Sequence, residues 1–186
     1  MAFGVVLYVV LKRPSSDQRA ATTKTESEQR TDGRKINVKL YFGTPGSAIL
    51  QTEERSVPYH ETLQAQAKQV MGALMAGPKG ELVPTIPEGV RLLDVLVTKD
   101  GIAYVDLSGE IVSNHEGGTT GEMVTIYSIV NTLTINLPQI HGVQILVDDQ
   151  AVETLKGHVD LSRPLKADLS LTQQEEESNQ KQQSGL

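Results

Sequence analysis

The chain has no cysteine and no tryptophan among its 186 residues. The first absence excludes disulfides, thiolate zinc and iron–sulfur sites, a cysteine nucleophile, and lipid attachment through an N-terminal Cys. It leaves the compartment open, because many exported domains fold without disulfides. Aromatics amount to 4%, with two Phe and five Tyr, so a core has to come from Val, Leu, Ile and Met. Few rings remain as platforms for sugars. Basic charge is also short: 17 Lys and Arg stand against 23 Asp and Glu, a net charge of −6. Phosphate binding needs clustered cations, so no nucleic-acid partner is expected.

A long apolar run is missing too. Ala2–Leu11 (AFGVVLYVVL) is apolar or Gly throughout, yet as a helix it extends roughly 15 Å, about half of a bilayer's hydrocarbon core. It lacks the basic leader and the small-residue cleavage site of a signal peptide. Two readings compete, an N-terminal core strand and the remainder of a truncated membrane anchor or export segment. The anchor is favoured because Pro14–Lys35 is polar, rich in Ser and Thr, and without periodicity, as linkers usually are. The expected organisation is therefore an anchor segment at 1–13, a flexible linker at 14–35, a folded domain at 36–165 and a disordered polar tail at 166–186.

Within the folded stretch, Ile36, Val38, Leu40 and Phe42 alternate with polar or amphipathic neighbours and predict a strand. Ala48–Pro58 reads as a second, edge strand in which Glu53, Glu54 and Arg55 discourage intermolecular pairing. Leu63, Ala67, Val70, Met71 and Leu74 fall on one helical face between His60 and Ala76, and Gly77-Pro78 stops that helix. Val90–Val97 and Ile102–Leu107 flank Asp100-Gly101, the signature of a tight hairpin. Thr119 and Glu122 have the spacing of a capping box for a helix running to Leu137, although Thr132–Leu137 also alternates like a strand. Val143, Ile145 and Val147 predict a final strand before Asp148-Asp149. The order β-β-α-β-β-α-β favours an α+β fold, a mixed and largely antiparallel sheet with two helices packed on one face.

The residues that could carry chemistry favour structural readings. His60, His115, His141 and His158 lack any metal-ligand spacing. Ser113-Asn114-His115-Glu116 contains the residue types of a triad, but adjacent side chains on one segment do not face one another, and no nucleophile elbow is present. Gly117-Gly118 ahead of a helix could cradle an anion, but no Lys or Arg is expected nearby and Glu116 and Glu122 would repel it. Asp106, Glu110 and Glu116 read as strand-end surface carboxylates. Met71, Met75 and Met123 read as core fillers, and Lys156–Leu161 as a turn returning to the sheet. No catalytic, cofactor-binding or metal-binding residue is assigned.

A series of short phrases remains: KLYF (Lys39–Phe42), ALMAGP (Ala73–Pro78), TIPEGVRLLDV (Thr85–Val95), YVDLSGEIVSN (Tyr104–Asn114), the Gly117-Gly118 loop, IVNTLT (Ile129–Thr134) and GHVDLSRPL (Gly157–Leu165). In this order and spacing they resemble the GerMN domain of the spore-germination GerM-like family, over about Ile36–Leu165. The resemblance implies an α+β envelope domain outside the cytoplasmic membrane, linked to sporulation, germination or cell-wall processes and similar to ring-building domains. The absent chemistry and the truncated anchor favour a non-enzymatic module that binds an envelope protein or its own copies and touches the membrane only through an N-terminal anchor. Peptidoglycan or glycan binding is the alternative, with an unrecognised cell-wall hydrolase behind it. The sequence departs from the family pattern in having no lipobox Cys, no second copy of the domain and no peptidoglycan-cleaving module.

Overall fold

The computed structural model describes residues 33–172, all within the unit Thr31–Leu186. The expected anchor, nearly all of the linker and the last part of the tail lie outside the described residues. Strands β1 (Lys35–Gly43) and β2 (Leu50–Pro58) pair antiparallel along their full length. Val38, Leu40 and Phe42 are buried on the alternating face, and Ile36 is half-buried.

Helix α1 (Leu63–Met75) starts where the Thr62 hydroxyl accepts the Ala65 amide, and it buries Ala67, Val70, Met71 and Leu74. It ends at Gly77, which takes the left-handed φ of 75° that a residue with a side chain resists. Arg55 of β2 reaches this end. Its guanidinium donates to Ala73 O at 2.9 Å and to Gly77 O at 3.0 Å, and it pairs with Glu53. Glu53 in turn accepts the amides of Lys79 and Gly80. Two charges expected to guard a strand edge thus fasten a helix terminus, where a cation suits the exposed carbonyls.

Strands β3 (Leu92–Val97) and β4 (Ile102–Leu107) form the expected hairpin. β5 (Gly142–Val147) runs parallel to β4, which requires the long crossover that separates them. β6 (Gln150–Ala151) folds back on β5 through Asp148-Asp149, both left-handed at φ 49° and 63°. Aspartate tolerates that region, and a two-residue hairpin turn asks for it. The fold is α+β, with its strands divided between the pair β1-β2 and the four-stranded order β3-β4-β5-β6.

A one-turn helix α2 (Glu110–Ser113) precedes α3 (Thr119–Asn136). The strand-like alternation at 132–137 does not make a strand, and α3 continues to Asn136. It buries Thr125, Ile126, Ser128, Ile129, Val130, Asn131, Thr132 and Leu133. A helix covered on most sides has no need of one apolar stripe. Its polar side chains meet backbone instead. Tyr41 N donates to Thr132 Oγ1 at 3.2 Å, Lys39 N donates to Asn136 Oδ1 at 2.8 Å, and Asn136 Nδ2 donates to Lys39 O at 2.7 Å. The second edge of β1 is therefore closed by a helix. Asn131 likewise exchanges two hydrogen bonds with the Asp168 backbone, followed by a 3-10 turn at Leu169–Leu171 and a bridge between Leu50 and Thr172. Residues 168–172, expected to belong to a disordered tail, are held by Asn131 at the Asp168 backbone and by the bridge from Thr172 to Leu50.

Gly101 gives a direct test of the hairpin. Its φ is 75°, and a Cβ there would lie 2.5 Å from Gln139 O and 2.7 Å from His141 Cδ2. Gly101→Ala should lower stability by about 1–3 kcal/mol or more, read as a lower urea midpoint. Gly80→Ala, with no atom within 4 Å of the added methyl, should leave the midpoint nearly unchanged.

Candidate functional site

A cleft of about 580 Å³ opens between the segment 84–88 and the start of α3, lined by Pro84, Ile86, Glu88, His115, Glu116 and Thr125 among others. His115 is buried at its base. The Gly117 amide donates to His115 Nδ1 at 2.9 Å, so that nitrogen is an acceptor and the ring proton sits on Nε2. Nε2–H then donates to Thr125 Oγ1 at 3.1 Å, and the Thr125 hydroxyl donates to Thr85 O at 2.6 Å. Burial holds the imidazole below its ordinary pKa; nearby Lys156 adds to this, and Glu122 opposes it. The ring is neutral, and both of its nitrogens are engaged.

Glu122 overturns one expectation. The capping box with Thr119 does not form, because the left-handed Gly117 and Gly118 (φ 85° and 81°) bring the chain into the helix so that Gly118 holds the cap position and Thr119 is already helical. The Glu122 side chain is 0% exposed and turns to the loop after β6. Oε1 accepts Leu155 N at 2.9 Å, while Oε2 accepts His158 N at 3.0 Å and His158 Nδ1 at 3.1 Å. Burial alone would raise this carboxyl, but the amides of Lys156, Leu155 and His158 and the His158 ring outweigh it and hold the pKa below the ordinary value. The expected turn at Lys156–Leu161 is thus fastened by a carboxylate more than thirty positions earlier. That partner has no local sequence signal.

The remaining candidates do not converge. Ser113 Oγ donates to Asn114 Oδ1, and Asn114 Nδ2 donates to Glu88 O at 2.9 Å, so neither approaches the His115 ring as a triad partner. His60 lies at the entry to α1 against Gln69, and His141 is exposed beside the Gly101 turn. Glu116 lines the cleft, whereas Asp106 accepts the Asp149 amide on the four-stranded sheet. The Gly117 amide is taken by His115, and a cation does lie near, since a Cβ on Gly117 would be 4.0 Å from Lys156 Cγ. Met71 is a core residue, and Met75 packs against the core. Among the described residues, no group of three or more His, Asp or Glu could hold a metal ion.

Both shifted groups make the native state acid-sensitive, in separate windows. His115 titrates lower when folded, so its contribution is complete above its unfolded pKa of about 6.5 and falls as pH drops below that. Glu122 also titrates lower when folded, so its contribution is intact above about pH 4.3 and is lost as pH falls through the folded value. Urea titrations at stepped pH should show a first loss as pH falls below about 6.5 and a second below about 4.3. Glu122→Gln should remove its share of the second loss and cost about 2–3 kcal/mol at neutral pH. A flat response between pH 7 and 5 would contradict the buried neutral imidazole.

With this geometry in place, comparison with known proteins is specific. The family model Germane, described as sporulation and spore germination, matches residues 39–153. A crystal structure of a candidate lipoprotein from Clostridium perfringens is 30% identical, with a TM-score of 0.51 over 74% of this chain and 91% of that one. The tandem GerMN domains of the sporulation protein GerM from Bacillus subtilis align with a TM-score of 0.55 at 19% identity, over 72% of this chain and 46% of that one. The first GerMN domain of GerM aligns at 0.51 and 19% identity, over 72% and 96%. No curated protein sequence matches the chain. On the family match and the Clostridium perfringens relative, the chain belongs to the Germane family, the GerMN-type domains of sporulation and spore germination.

Proposed function

We propose that this chain is a non-enzymatic cell-envelope module that binds another protein or its own copies, outside the cytoplasmic membrane and attached to it by an N-terminal segment. The observation that carries this reading is the state of the cleft. Its imidazole has no nitrogen left to take a proton from a substrate, and the neighbouring buried carboxylate is saturated by donors from its own chain. A general base needs a free position within hydrogen-bond reach of the proton it removes. Family membership supports a role tied to sporulation or germination, and the Clostridium perfringens relative, described as a candidate lipoprotein, supports attachment at the envelope. Among the described residues no helix is long and apolar enough to cross a membrane.

Fractionation and cross-linking of the full-length product in cells test the proposal. It should sediment with membranes, be accessible from outside the cytoplasm, and cross-link to an envelope protein or to itself. A strictly monomeric product in the cytoplasmic fraction would overturn it. Retention on purified peptidoglycan without any protein partner would favour glycan binding instead, although no Phe or Tyr lines the cleft.

A further inference from the structure

The four-stranded sheet has a second face. Val95, Val105 and Ile145 point into the core from β3, β4 and β5, so the residues that alternate with them point away from it. The register sets Leu96 opposite Tyr104 and Asp94 opposite Asp106, with Asp106 beside Leu146 on β5. Leu96 is 53% exposed, and Leu93, at the bulge in β3, is 42% exposed. A depression of about 230 Å³ lies on this face, lined by Asp94, Leu96, Tyr104, Asp106, Leu146 and Asp149.

Its chemistry is unbalanced. Three carboxylates, of which Asp106 is buried, line it beside Leu96, Tyr104 and Leu146, and no basic side chain does. Asp94 is paired with Lys68 at 2.7 Å, while Asp106 and Asp149 have no cationic partner among the described residues. Carboxylates placed directly across a strand pair repel each other. The volume is below the roughly 300 Å³ at which small-molecule sites begin. It suits one long side chain, and the side chains with an apolar stem and a cationic end are Lys and Arg.

We propose that this face is the docking surface for a basic segment of a partner protein, with one Lys or Arg stem lying on Leu96, Tyr104 and Leu146 and its cation between Asp106 and Asp149. This rests on the contact-module reading and adds the surface and the partner's charge. An acidic partner is excluded by repulsion, and a purely apolar one would leave the carboxylates desolvated without a counter-charge.

The test uses the full chain, 15N-labelled, titrated with a short blocked peptide that alternates Lys or Arg with Leu, and with its copy carrying Glu at each basic position. The basic peptide should move the amide signals of Leu96, Tyr104 and Leu146, the acidic copy should not, and raising ionic strength from about 0.02 M to about 0.3 M should weaken binding about tenfold. Leu96→Ser removes exposed apolar surface, and Asp149→Asn removes charge while keeping a residue that tolerates the left-handed turn. Each should weaken binding about fivefold, with urea midpoints near wild type. Shifts clustered elsewhere, equal binding of the acidic copy, or no saturable binding by the wild type would overturn the proposal. Cross-linking in cells separates the two ideas. If both variants still capture the same envelope partner as the wild type, the surface is wrong and the module reading stands; if the wild type captures neither a partner nor itself, the module reading fails whatever the peptide does.

Discussion

The fold depends on hydrogen bonds between polar side chains of α3 and the backbone of segments that cannot satisfy themselves. An open strand edge presents unpaired amides and carbonyls, and left bare it invites another chain to pair there. For β1, Thr132 and Asn136 stand in for the missing strand. Asn131 does the same for the segment around Asp168, and Thr125 for Thr85. Threonine and asparagine in a helix interior each cost a few tenths of a kcal/mol of propensity. Leaving a buried backbone group without a partner costs about 1–3 kcal/mol. The second term is larger, so these residues belong in the helix despite their weak helical preference.

The ionised and ionisable groups follow the same logic. Glu122 holds the Leu155–His158 loop, and Arg55 with Glu53 holds the end of α1 against the chain that follows it. His115 links the glycine turn, α3 and the strand-like segment at Thr85 through one neutral ring. Each group resembles catalytic machinery when considered alone, as a buried acid, an oriented imidazole or a histidine on a carboxylate. Their hydrogen-bonding positions are taken by groups of the same chain, and their placement is explained by the backbone they hold.

How far this was legible in the sequence depends on the separation of the partners. β1, α1 and the β3-β4 hairpin were readable because period two, period 3.6 and Asp100-Gly101 act within a few residues. The role of Glu122 was not, because its donors lie 33 and 36 positions away and its spacing from Thr119 imitates a local cap. Arg55 looked like a solvated edge charge for the same reason, its acceptors being 18 and 22 positions on. The division into two sheets depends on α3 covering β1, a tertiary event that no strand pattern records. The outer face of β3 and β4 is set by the hairpin register, which the turn sequence does not fix. The register that sets Leu96 beside Tyr104 and Asp94 beside Asp106 comes from a three-residue connection in which Thr98 faces Ile102, whereas a two-residue Asp100-Gly101 turn would have set Leu96 beside Val105.

The places where the described chain enters and leaves the β1-β2 ladder have a mechanical meaning. Lys35 pairs with Pro58 at one end, and Thr172 bridges Leu50 at the other, a separation of about 27 Å at roughly 3.3 Å per residue. A tension applied between these two points runs along the strands, so the rungs between β1 and β2, and those from β1 to Thr132 and Asn136, bear the load in parallel. Such a ladder yields in shear, all rungs at once. A domain stretched between a tether and whatever it grips would resist longer in this direction than one unzipped rung by rung.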